Sequence, residues 1–158
     1  MSGMSRIVKT ITSIAFPISM IYGLYVIAHG HLTPGGGFQG GAVVASACAM
    51  ILVAYGSAWT MGKIKENQIS VLESLGAIGF IGLAFFGLIF GANYFFNNFL
   101  VGEKGLSLIF NQAAVGASNI NTAGVLPLMN FAVGLKVIAG LFAIVLVMAY
   151  ATRTKEEK

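Results

Sequence analysis

Apolar residues fill four stretches of this chain almost without interruption, and polar residues collect between them. Residues 7–28, 41–59, 69–92 and 125–150 are each long enough to cross a hydrocarbon layer ~30 Å thick, for which about 20 helical residues suffice. The pattern predicts an all-α integral membrane protein with four transmembrane helices. In the first span only Lys9, at the edge, is charged, and Pro17 inside it is expected to kink the helix or free a carbonyl. Arg6 and Lys9 before an apolar run also suit a secretory leader. The run outlasts the usual ~7–15 residues and no small-x-small cleavage site follows, so a lasting helix is expected.

Between the first two spans the chain reads HGHLTPGGGFQGG from His29 to Gly41. Pro34 and five glycines between Gly35 and Gly41 argue against a continuing helix, so a glycine-rich outer loop is expected there. The second span closes on Trp59, a residue suited to the membrane interface. After the third span the apolar texture runs on through Asn93, Tyr94, Phe95 and Phe96 to Leu100, which allows tilt or a helix end lying in the interface. Val101–Gly124 reads as a mixed loop with room for a short interfacial helix. There is no internal repeat and no separate soluble domain, so residues 1–158 form one membrane domain.

Composition narrows the class. The chain is 57% hydrophobic and 9% charged, against roughly 25% charge in a soluble domain. Its net charge of +4 is no nucleic-acid signal, because the basic residues flank the spans. Arg6 and Lys9, then Lys63 and Lys65, then Arg153, Lys155 and Lys158 alternate with outer loops holding only Lys104. With four spans this bias puts both termini on the cytoplasmic side, in a multi-pass protein of the cell membrane. The single cysteine, Cys48, excludes an internal disulfide and reads as a small packing residue. No cofactor is expected in this chain, because two histidines, one cysteine and five scattered carboxylates give no metal constellation. An enzyme has no nucleophile–base pair here to support it.

Few residues remain that carry chemistry. Gly35-Gly36-Gly37-Phe38-Gln39-Gly40 formally matches G-x-G-x-x-G, yet it follows an apolar span rather than a strand, and Thr60 stands where an acid is needed. The loop Pro34, Gly35, Gly36, Gly37, Phe38, Gly40, Gly41 instead suits a tight cap against neighbouring subunits, with Phe38 as its apolar anchor. His29 and His31 either shape that loop through backbone carbonyls or relay protons. Glu73, about four residues into the third span, either reaches the headgroups or Lys63 and Lys65, or sits at the mouth of a cation path. Lys136 is deepest, roughly 16 Å along its span, where a charge costs at least ~2.5–3.5 kcal/mol and calls for a partner. Asn130 is expected about two turns away on the same broad face. Counted from the inner ends, Glu73 lies roughly 6 Å deep and Lys136 roughly 21 Å, so the partner acid of Lys136 is expected on another polypeptide or through water. Burial would also make Lys136 a candidate proton carrier. Gly76, Gly79, Gly82, Gly87 and Gly91 mark a close-packing helix surface, better suited to outside partners than to this chain alone.

Two segments carry a resemblance. The run from His29-Gly30-His31 through Pro34-Gly35-Gly36-Gly37-Phe38-Gln39-Gly40-Gly41 resembles the signature loop of the MnhB/MrpB family, the B subunits of multisubunit Na+/H+ antiporters. Gly124–Val137, with its Gly134-Leu135-Lys136-Val137 core, is similar to that family's approach to its last helix. The resemblance covers nearly the whole chain. It implies a non-catalytic membrane subunit of a cation/proton antiporter module, with other membrane subunits and the lipid bilayer as partners and no nucleic acid. Similar subunits occur in membrane-bound hydrogenases and related redox-driven complexes, so hydrogenase or other redox subunits are an alternative set of partners. A purely structural scaffold and a stand-alone carrier are the remaining alternatives, the last disfavoured by the lack of repeats. Lys136, Glu73, His29 and His31 are the ion-path candidates.

Overall fold

A computed structural model describes residues 4–32, 34–89, 95–96, 100 and 124–156. These residues form helices α1 (Arg6–Ala28), α2 (Gly36–Tyr55), α3 (Ser57–Lys63), α4 (Glu66–Ile89) and α5 (Leu126–Glu156). α1, α2, α4 and α5 are long and apolar enough to span a membrane. The interior of the expected 101–124 loop, and Gly91 of the glycine surface, lie outside the described residues.

α1 and α2 form an antiparallel hairpin. At its open end the Met4 amide donates to the Ala54 carbonyl at 3.1 Å, and Ser13 Oγ and Tyr55 Oη are 3.0 Å apart. Pro17 sits inside α1 and cannot donate to the Ser13 carbonyl. α5 runs parallel to α2, as Gly37 lies against Asn130, Gly41 against Val137, and Leu52 in one core cluster with Leu146. α4 runs antiparallel to α5 and packs chiefly on it, with Gly79 against Ala132, Gly76 against Lys136 and Ile69 clustered with Leu146. α5 is therefore the central post, with α2 on one side and α4 on another. The start of α1 and the end of α5 share one end of the bundle.

Three helix limits depart from the sequence expectation by four residues or more. α2 begins at Gly36, not at Gly41, so most of the glycine run is its first turn and a half. Glycine's low helix propensity is overridden because the missing side chains let α2 touch two other helices. At the entry to α2, Gly35 and Gly36 take positive φ, 107° and 38°. α2 ends at Tyr55, where Gly56 at φ 88° breaks the axis, and Trp59 lies on α3, stacked on Tyr55 at 4.8 Å between ring centroids. α5 continues to Glu156, six residues past the expected limit at 150. Phe95 and Phe96 lie against α4: the Phe96 amide donates to the Ala84 carbonyl and Phe95 meets Phe85 edge-on at 5.3 Å.

Gly62 in α3 is a useful contrast to the packed glycines, because a Cβ there would meet nothing within 4 Å among the described residues. Gly62→Ala is expected to leave assembly intact and to stabilise the chain slightly, by up to ~1 kcal/mol from helix propensity. A melting curve of the purified protein checks this.

Candidate functional site: a glycine-seated junction and a charged seam

At one end of the bundle α1, α2 and α5 meet around Ile27, which is 2% exposed. A Cβ on Gly40 would lie 2.5 Å from Ile27 Cγ1 and 2.6 Å from the Gly23 carbonyl oxygen; one on Gly134 would lie 2.8 Å from Ile27 Cδ1. Glycine on both sides thus makes the slot that Ile27 fills. The Asn130 side chain enters from α5 and lies between Gly30 and Gly36, where added Cβ atoms would come within 2.8 Å of Nδ2 and 3.0 Å of Oδ1. Gly37 rests on the Asn130 backbone carbonyl, and Gly41 on Val137. Gly36, Gly37, Gly40 and Gly41 are all buried. Phe38 is 61% exposed and does not anchor the segment on this chain; it projects from α2 between the buried glycines. Asn130 faces the α1–α2 turn while Lys136 faces α4, so the two do not share a face. Six residues on a helix turn the direction by ~240° at 3.6 residues per turn.

The histidines stand at the same end. His29 caps α1, its amide donating to the Tyr25 carbonyl, and its ring stacks on Tyr25 at 4.3 Å. Both ring nitrogens of His31 are buried and find no hydrogen-bond partner among the described residues. Lys136 lies about 9 Å further along α5 than Asn130. The fold does not gather the four ion-path candidates into one cluster.

Glu73 and Lys136 are much nearer in depth than counting from helix ends implies. A Cβ on Gly76 would lie 2.8 Å from the Lys136 amide nitrogen, so Gly76 and Lys136 are level. Glu73 precedes Gly76 by three residues, which leaves ~4.5 Å of axial offset rather than ~15 Å. The longer α5 explains the difference: its end reaches well past the start of α4. Glu73 is half-buried in a groove with Ile69, Ser70, Ala143, Leu146 and Val147, and its carboxyl lies beside Gly140. Neither Lys63 nor Lys65 pairs with it among the described residues. Lys136 is exposed on this chain. Helical Cβ bonds lean toward the N-terminus of their own helix, and α4 and α5 are antiparallel. The Lys136 Cα–Cβ bond therefore leans toward the glycine junction and that of Glu73 toward the opposite end.

The flank of α4 that carries Gly79 and Gly82 forms an open apolar groove of about 550 Å³ with Leu128, Phe131 and Leu135. Ile27 and Gly134 are not legible as a junction in the sequence, because a glycine and an isoleucine in two separate spans carry no pairing signal. No group of three or more metal-ligating side chains comes together among the described residues.

An uncharacterised protein of Methanocaldococcus jannaschii is 37% identical over 147 residues, covering 89% of this chain and 52% of its own length. The chain thus spans about half of that relative. A Na+/H+ antiporter B subunit of Bacillus subtilis is 26% identical over 125 residues, covering 77% of this chain and 79% of that protein. Four apolar helices and these relatives identify a multi-pass protein of the cell membrane. A model of domains related to the MnhB subunit of Na+/H+ antiporters matches residues 7–143, and the chain belongs to that family.

Proposed function

We propose that this chain is a non-catalytic membrane subunit of a multisubunit Na+/H+ antiporter module, and that Lys136 is an electrostatic element beside its ion path. Both termini lie on the cytoplasmic side in this reading, following the lysine and arginine bias. The observation that carries it is a lysine held against Gly76 in mid-span, exposed on a helix face that lies among lipid-compatible residues. Such a charge costs ~2.5–3.5 kcal/mol or more in hydrocarbon, and intramembrane ionisable residues mark ion and proton routes. A fixed positive charge raises the barrier to cations at its own position and, with its acid partner, sets where a proton or cation rests. Glu73, one turn away in a groove with Ser70, supplies a carboxylate along the same seam.

The test is transport by membrane vesicles containing the whole complex. Lys136→Ala is expected to lower Na+-dependent proton transport about tenfold or more, equal to a ~1.4 kcal/mol change, while the complex still assembles. A fully active, fully assembled Lys136→Ala complex would sink the ion-path role. A second reading is a scaffold, favoured by the glycine seats that pack α1, α2 and α5. It expects Lys136→Ala to reduce assembly while any assembled complex transports normally.

A further inference from the structure

We infer that the side of the α4–α5 seam bearing Lys136 is covered by a transmembrane helix of another polypeptide, and that this helix places an aspartate or glutamate at the level of Lys136. The inference rests on the proposed role as one member of a larger complex and names the chemistry of one of its partners.

Three observations support it. Lys136, Gly140, Ile144 and Val147 follow one another on α5 at three- to four-residue spacing, hence along one strip of the helix. Lys136 is exposed on this chain, and Ile144 and Val147, about 12 and 16 Å further along the strip, are 58% and 57% exposed. Lipid tails can cover the apolar members of the strip, but not an ammonium at that depth.

The chain's own acids do not meet this need. It has five carboxylates, at Glu66, Glu73, Glu103, Glu156 and Glu157, and only Glu73 lies well inside a span. The Glu73 carboxyl lies about one turn further along the strip, beside Gly140 and the groove with Val147, while the Lys136 Cα–Cβ bond leans the other way. Asn130, the other polar side chain of this part of α5, is committed to the α1–α2 turn. Charge complementarity therefore selects a carboxylate-bearing helix.

The experiment uses the assembled complex. A benzophenone amino acid replaces Ile144, a position that leaves Lys136 and Glu73 untouched, and the irradiated adduct is sequenced by mass spectrometry. The expected adduct is a membrane-spanning peptide of a different polypeptide that contains an acidic residue. Lys136→Glu should then weaken retention of that polypeptide about tenfold or more, as loss of a buried charge pair does. Exchanging the identified acid for lysine in the same complex should restore it.

Adducts with lipid alone, with a second copy of this chain, or with a peptide lacking an acid overturn the proposal. So does a Glu73→Gln variant whose effect is equal to, and not additive with, that of Lys136→Met, since Glu73 would then be the true counter-charge. If the chain instead migrates alone after gentle extraction from active membranes, the proposed place in a complex itself fails. A complex that stays whole but gives only lipid adducts fails this inference alone.

Discussion

Gly40→Leu is expected to remove the folded protein from the membrane. The first atom added at Gly40 already lands 2.6 Å from the Gly23 carbonyl oxygen and 2.8 Å from the Ile27 amide nitrogen. Both are backbone atoms of α1, so no side-chain rotation relieves the overlap, and the two helix axes must part. Ile27 then leaves its slot against Gly134, and α5 loses its contact with α1 at the same point. Overpacking of a tight core costs ~1–3 kcal/mol, occasionally more. Here the first carbon meets backbone and three helices share the contact, so the upper end or beyond, about 3 kcal/mol, is expected. That is a large part of the ~5–15 kcal/mol by which a typical domain is stable. Size-exclusion profiles of the tagged chain, beside wild type and Gly62→Ala, measure it. A Gly40→Leu protein that elutes and melts like wild type would show that the junction does not hold the bundle together.

The apolar pattern makes the four spans legible, because hydrocarbon length sets the length of a helix. It misplaces the start of α2 for a physical reason. Propensity scales rate glycine by what it lacks in an isolated helix, whereas Gly37, Gly40 and Gly41 are selected by what lies 2.4–3.1 Å beyond their missing Cβ atoms. That information resides in α1 and α5, far away along the chain. The charged seam is half legible. Lys136 stands out as an ion in an apolar run, but its depth relative to Glu73 depends on how far α5 slides past α4, and no single span encodes that. Counting two turns puts Asn130 on the Lys136 face, but six residues turn the helix by ~240°, and its neighbours Gly30 and Gly36 define where it points. Phe38 reads in the sequence as an anchor against neighbouring subunits, and the helical phase of α2 turns it outward while its glycine neighbours turn in.

The seam supports a sharper test, since α4 depends so largely on α5. Gly76→Val is expected to detach α4, because a Cβ at that position would lie 2.8 Å from the Ala132 carbonyl oxygen, 2.8 Å from the Lys136 amide nitrogen and 2.9 Å from Lys136 Cβ. Without a hydrophobic drive between helices in lipid, close packing and polar contacts hold them together, so pushing the axes apart removes most of what joins α4 to the rest. A cysteine pair at Ser70 and Val147, which line one groove, reports the geometry directly. Cross-linking across that pair should be efficient in the parent protein, made with Cys48 replaced by alanine, and should fall about tenfold in Gly76→Val, the ratio a ~1.4 kcal/mol shift in docking produces. Gly82→Val is the matched control, because none of the described residues outside its own turn of helix lies within 4 Å of its Cβ position. Equal loss of cross-linking in both variants would trace the effect to valine in a membrane helix rather than to contact with α5. Intact cross-linking in Gly82→Val, with reduced retention of other polypeptides, would instead identify the open groove around Gly82 as a surface for a neighbouring helix. Gly76→Val should also displace Lys136, whose backbone meets the added methyl groups, so transport and cross-linking should fall together there and separately in Lys136→Ala.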